Sequence, residues 1–148
     1  TPLYSSAASD VYKRQAIFGT DYDTPDGTCI RDYIHVEDLA TAHIDALQYL
    51  ADGGPSETLN CGYGRGYSVR EVLAAVRSVS GVNFSITEVA RRPGDSPQLI
   101  ADNQRICQVL GWLPQHDDLK EICRTAWEWE RHYQDSHDDG PSNKTQVD

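Results

Sequence analysis

Apolar residues fall in short blocks separated by turn residues, and the spacing inside each block predicts its element. Ala16-Ile17-Phe18, ahead of Gly19, reads as a strand, and residues 20–28, with Pro25-Asp26-Gly27, read as a turn-rich loop. Residues 30–36 read as a second strand that carries two charges, Arg31 and Asp32, inside an otherwise apolar run. A helix is expected over 37–51, with Leu39, His43, Leu47 and Leu50 on its packed face and Gly53-Gly54-Pro55 ending it. Residues 58–61 read as a third strand, followed by the turn Gly62-Tyr63-Gly64-Arg65-Gly66. Ser68-Val69-Arg70-Glu71 has the form of a capping box. Val69, Val72, Leu73, Val76 and Val79 make the stripe of the helix it opens, and Gly81 closes it. Val82, Phe84 and Ile86 alternate as a strand. A short helix is expected from a cap at Asp102 to Leu110, with Gly111 past its end and Trp112-Leu113-Pro114 over a core edge. The last helix is expected over 117–133, with Leu119, Ile122, Ala126, Trp129 and Tyr133 buried and Trp127 off that stripe. Residues 1–15 read as a non-native or disordered leader and 134–148 as a disordered tail, leaving 16–133 as the folded portion.

Composition narrows the function classes. At 148 residues the chain suffices for one domain with a core, and 39% hydrophobic with 24% charged residues is a soluble, globular balance. The net charge of -10 argues against nucleic-acid binding, and no apolar run is long enough to span a membrane. Cys29, Cys61, Cys107 and Cys123 have no metal-ligand spacing and read as free thiols of a reducing compartment. No metal site is expected.

Two features carry chemistry. Arg31, in an apolar run, either grips a phosphate or carboxylate or forms a structural network with Asp32. Arg91-Arg92-Pro93-Gly94-Asp95 holds the only Arg-Arg pair of an acidic chain in a proline-stiffened loop, which is either a ligand grip or a solvated basic turn. The Gly62 turn imitates a dinucleotide fingerprint. Gly62 and Gly64 fill the first two positions, but Tyr67 stands where the third glycine is required, so it reads as a structural turn.

Together these stretches resemble a known family. Residues 16–28 (Ala-Ile-Phe-Gly-Thr-Asp-Tyr-Asp-Thr-Pro-Asp-Gly-Thr), 31–40, 59–69 and 91–95 are similar to the C-terminal part of the UDP-glucose 4-epimerase family, extended short-chain dehydrogenase/reductases. The resemblance implies an α/β fold: the last strands of a Rossmann-type sheet plus a smaller substrate-binding α/β lobe. It implies that Ala16 and Phe18 lie along the uracil, that Arg31 and Arg92 hold the pyrophosphate and that Asp95 contacts the ribose. At Leu99 some members carry an aromatic sugar contact, and here the residue is aliphatic. Asp32 and His35 are expected to be internal hydrogen-bonding groups, and Glu37 and Asp38 to favour the start of the first helix.

The family interconverts UDP-galactose and UDP-glucose. A bound NAD takes a hydride from C4 of the hexose, a tyrosine takes the hydroxyl proton, and the 4-keto sugar turns over before the hydride returns. No Tyr-x-x-x-Lys pair and no glycine-rich fingerprint after an N-terminal strand occur in the 148 residues. The expectation is therefore a fragment that binds the UDP-hexose and is inactive alone, from a cytoplasmic, homodimeric parent whose missing N-terminal half binds NAD. The alternatives are another nucleotide-sugar 4-epimerase and a non-catalytic UDP-binding module.

Overall fold

Residues 14–138 are described in the computed structural model. Nine elements follow one another: β1 (Arg14–Phe18), β2 (Ile30–Arg31), α1 (Val36–Ala51), β3 (Tyr67–Ser68), α2 (Val69–Ser80), β4 (Ser85–Val89), β5 (Gln98–Leu99), α3 (Gln104–Leu110) and α4 (Leu119–Asp138). The architecture is mixed α/β. β1 and β4 form a parallel pair from Arg14↔Ser85 to Phe18↔Val89. β2 lies between β3, antiparallel, and β5, parallel.

Three small cores hold these pieces. Ile17 of β1 packs with Leu73 of α2 and Phe84. Val72 and Ala75 of α2 pack on Cys123 of α4, and Ala42, Tyr63, Ile106 and Trp112 join α1 to α3. Signals within one turn behave as the sequence predicts. Both halves of the Ser68–Glu71 capping box form, and Gly81 and Gly111 end their helices with φ of 68°.

Several expectations need correction. The strand expected over 30–36 is two residues long, because only Ile30 and Arg31 find partners on both sides. The chain then leaves the sheet. Asp32 turns its carboxylate onto the N–H groups of Tyr63 (3.0 Å), Gly64 (2.9 Å) and Ala101 (3.3 Å). His35 becomes the N-cap of α1, its Nδ1 accepting from the Glu37 N–H at 3.1 Å. Residues 58–61 are not a strand; Leu59 and Cys61 pack as irregular chain on the α1–α3 core. The strand expected from Val82 to Glu88 begins only at Ser85 and ends at Val89, set by its register with β1. Arg14 and Gln15 belong to β1 rather than to a leader, and α4 runs on to Asp138. The remainder of the expected leader and tail, 1–13 and 139–148, lies outside the described residues.

The packed faces of two helices also differ. α1 buries Asp38 and Ala42, while Leu47 is 68% and Leu50 53% exposed, as is Ile44 at 63%. The cause is a buried hydrogen-bond centre at Asp38. Its carboxylate accepts from the Tyr63 hydroxyl (2.6 Å) and the backbone N–H groups of Gln115 (2.9 Å) and His116 (2.8 Å). Its carbonyl accepts from Trp112 Nε1 at 3.1 Å. Burial would raise this carboxyl's pKa, but the hydrogen bonds outweigh it and the net shift is downward. In α4 the inward face runs through Leu119 and Cys123, whereas Trp129 and Tyr133 are exposed. Burial raises the Cys123 thiol to about 11, which keeps it protonated at neutral pH.

Candidate functional site

The expected site residues gather at the C-terminal end of β1, on β2, and on the loop between β4 and β5. A tightly bonded turn precedes β2. Asp26 Oδ1 accepts from the Thr28 N–H (2.9 Å) and hydroxyl (2.7 Å), and the Tyr22 N–H donates to the Gly27 carbonyl at 2.9 Å. Gly27 is needed at φ 79°, where a Cβ would stand 2.2 Å from the Thr20 carbonyl oxygen. Asp26 also accepts from the Ser68 hydroxyl, so the turn is fastened to the α2 cap. β2 leaves this turn with its backbone secured to the far loop: the Ile30 N–H donates to the Pro97 carbonyl at 2.9 Å.

Two pairs result. Arg31 on β2 lies 3.6 Å from the Asp95 carboxylate, and both side chains are partly exposed, at 25% and 35%. Arg31 Nη1 also donates to its neighbour's carbonyl, Ile30, at 2.7 Å. Arg92 stacks its guanidinium 3.7 Å from the centroid of the Phe18 ring. The Asp95 N–H donates to the Arg92 carbonyl at 3.3 Å, so one turn links the pairs. Ala16 sits on the exposed side of β1. Arg31 is held by Asp95 rather than Asp32, which is spent on backbone N–H groups.

The two adjacent arginines are not equivalent. Arg91 pairs with the Asp21 carboxylate at 2.6 Å, also donates to the Asp21 carbonyl, and covers the Tyr22 ring at 4.2 Å. Among the described residues Arg92 makes no ion pair, so its fork is the available one. Arg31 and Arg92 are thus two cations beside an aromatic ring and a carboxylate, an arrangement able to take an anionic ligand. Sequence reasoning missed Tyr22, which is 4% exposed. Its position between Asp21 and Asp23 in a polar turn gives no sign of burial.

The Gly62 loop does not suit a dinucleotide. The N–H groups of Tyr63 and Gly64, which would face a phosphate, are taken by Asp32. A Cβ at Gly62 would meet Asp32 Oδ2 at 2.6 Å, so the glycine serves that internal carboxylate. A cleft of about 260 Å³ between α1 and α3, lined by Asp45, Gln48, Tyr49, Asp52, Val109 and Leu110, contains none of the candidate residues.

His35, Glu37 and His116 form a separate cluster, their ligating atoms within 4.8 Å of one another. The two rings stack at 4.4 Å, so their in-plane lone pairs run side by side rather than converging on one ion. His35 is occupied by its cap and by Thr125 Oγ1 at 2.9 Å. His116 lies between Glu121 (3.0 Å) and Glu37 (3.2 Å), joining the first turns of α4 and α1. The Glu121 hydrogen bond is the chief cause of its raised pKa. A raised folded-state pKa means stabilisation that is complete below the ordinary value near 6.5 and is lost as pH rises through the folded value. The chain is therefore expected to lose stability as the pH rises from the ordinary histidine value near 6.5 through the raised value of folded His116. His116→Gln should flatten that slope in urea denaturation series, and an unchanged slope would remove His116 as its source.

The model of the NAD dependent epimerase/dehydratase family matches residues 4–62. Over 121 residues the chain is 60% identical to the UDP-glucose 4-epimerase of Azospirillum brasilense, covering 82% of this chain and 35% of the relative. The chain is a homologue of the UDP-glucose 4-epimerases. The UDP-Glc/GlcNAc 4-epimerase of Campylobacter jejuni superposes on this epimerase homologue with a TM-score of 0.73 at 48% identity, over 81% of this chain and 36% of the other. The UDP-glucose-4-epimerase of Stenotrophomonas maltophila, solved with NAD and formylated UDP-arabinopyranose, superposes with a TM-score of 0.78 at 44% identity, over 83% and 36%. The homologue thus spans little more than a third of the length of these relatives. Among its described residues no helix is long and apolar enough to cross a membrane.

Proposed function

We propose that this chain is the C-terminal, substrate-binding portion of a UDP-glucose 4-epimerase and holds the UDP of a UDP-hexose. Arg31 and Arg92 grip the pyrophosphate, Asp95 takes the ribose diol, and Ala16 and Phe18 line the uracil. The observation that carries this reading is the Arg31–Asp95 pair, joined through one loop turn to an Arg92 fork lying over Phe18. A phosphate approaching Arg31 finds a charge-assisted donor already fixed on a strand, which reduces the ordering cost of binding.

The parent interconverts UDP-galactose and UDP-glucose with NAD as hydride carrier and works as a cytoplasmic homodimer. This chain's residues do not fit NAD at their glycine-rich loop, and they include no Tyr-x-x-x-Lys pair. Its own part is to bind and orient the nucleotide end of the substrate, and alone it is expected to be inactive. The exposed apolar face of α1, with Val36, Ile44 and Leu47, is the surface we assign to packing against the NAD-binding portion. The relatives that handle UDP-GlcNAc and hold a UDP-arabinopyranose derivative keep a second sugar specificity in play.

The test is a titration of the chain with UDP, read by calorimetry and melting temperature, beside a coupled epimerase assay. Saturable UDP binding, a raised melting temperature and no turnover are the expected results. Absence of UDP binding would remove the proposal, and turnover above a heat-treated control would remove the assignment of catalysis to missing residues.

A further inference from the structure

The loop of residues 90–96 carries Arg92 and Asp95, and all of its residues are exposed. Backbone hydrogen bonds pin the chain at either end of it. The Gly19 N–H donates to the Val89 carbonyl at 2.8 Å, and the Ile30 N–H donates to the Pro97 carbonyl at 2.9 Å. Between those ends, side chains tie the loop down. Arg92 lies over Phe18, Asp95 faces Arg31, and Arg91 reaches Asp21 and Tyr22. The first two of these contacts use groups assigned to the nucleotide. Asp21 and Tyr22 have no part in the ligand, so the Arg91 contact persists when the others turn to it.

Arg91 is held from several directions. Its Nε donates to the Asp21 carboxylate at 2.6 Å, and its Nη2 donates to the Asp21 carbonyl. Its guanidinium lies 4.2 Å from the centroid of the Tyr22 ring, which is buried. Its stem crosses Gly19, where φ is 84° and a Cβ would stand 2.6 Å from Arg91 Cγ. The Tyr22 N–H in turn donates to the Gly27 carbonyl at 2.9 Å, inside the turn that leads to β2 and Arg31. Arg91 therefore ties the Arg92 loop to the segment that places Arg31. The hydrogen bond from Arg91 is the chief cause holding the Asp21 carboxyl below its usual value. The two side chains are 75% and 43% exposed, and an ion pair so exposed adds little to folding stability.

We propose that the Asp21–Arg91 pair is a clamp that positions Arg92 for the phosphate. With Arg91 drawn onto Asp21 and Tyr22, its neighbour's fork is left on the Phe18 side, where it meets the ligand. This rests on the reading of Arg31, Arg92 and Asp95 as a UDP site. Asp21 and Arg91 are positioning residues there and touch no ligand atom.

The test titrates UDP by calorimetry into the wild-type chain, Asp21→Asn, Arg92→Gln and the double variant, and melts each without ligand. Removing a negative charge near the site would, through the field alone, tighten the binding of an anion. Loss of positioning weakens it, so the sign separates the two effects. Asp21→Asn is expected to bind UDP about three- to tenfold more weakly, the ordering cost of one long side chain. In the Arg92→Gln background the same substitution should cost nothing further, because the clamp acts through Arg92. The ligand-free melting temperature of Asp21→Asn should lie within about 4 °C of the wild type. Wild-type or tighter UDP binding by Asp21→Asn, beside a weakened Arg92→Gln, would overturn the inference and leave the site reading intact. An equal loss from Asp21→Asn in both backgrounds would also overturn it, since the pair would then not act through Arg92. A large fall in ligand-free melting temperature would make the pair structural and overturn it as well. Wild-type affinity in Arg92→Gln, or no UDP binding by the wild-type chain, would remove the site reading and this inference with it.

Discussion

Arg31→Gln is expected to weaken UDP binding by about 10- to 100-fold, the value of a hydrogen bond to a charged group at a prepared site. Glutamine keeps a donor and much of the side-chain length but removes the charge and the planar fork. The same variant should melt within about 4 °C of the wild-type chain without ligand. Its folded-state partner is a partly exposed Asp95 at 3.6 Å, and exposed pairs contribute about 0–1 kcal/mol. The contrast between a large binding loss and a small stability loss separates a ligand grip from a structural ion pair. A variant that melts much lower while binding UDP as the wild type does would assign Arg31 to the fold instead.

Asp38→Ala is expected to show the opposite behaviour, with a loss of about 3–5 kcal/mol in stability measured by urea denaturation. The carboxylate is 1% exposed and is the acceptor for the Tyr63 hydroxyl and for two backbone N–H groups, Gln115 and His116. Removing it orphans three buried or half-buried donors at once. It also frees the segment from Trp112 to His116, which α1 otherwise holds against α3 and the start of α4. Asp38→Asn keeps one acceptor oxygen and should lose about half as much. A full-length loss from Asn equal to that from Ala would show that the charge, rather than the count of acceptors, holds this segment. Unchanged stability in Asp38→Ala would mean that the Trp112 side chain alone secures it.

The sequence reached the candidate site through short motifs and reached the helix ends through residues within one turn. Arg31, Arg92, Asp95, Ala16 and Phe18 were legible because they stand in distinctive strings, and the structure joins four of them into two pairs. The sequence did not separate Arg91 from Arg92. Their difference is made by Asp21 and Tyr22, 70 residues earlier in the chain for the Arg91–Asp21 bond.

What the sequence by itself determined here is local. The Ser68–Glu71 box, the left-handed glycines at 81 and 111, and the valine stripe of α2 each depend on neighbours within a few residues. Tertiary structure decided the length of β2, the inward face of α1 and the burial of Tyr22. A strand is only as long as its partners allow, and β2 found two residues of each. The face of α1 was set by Asp38, whose acceptor sites are filled from 25 to 78 residues away. Periodicity counts apolar residues along one helix, so it cannot register a buried carboxylate whose partners lie on other elements.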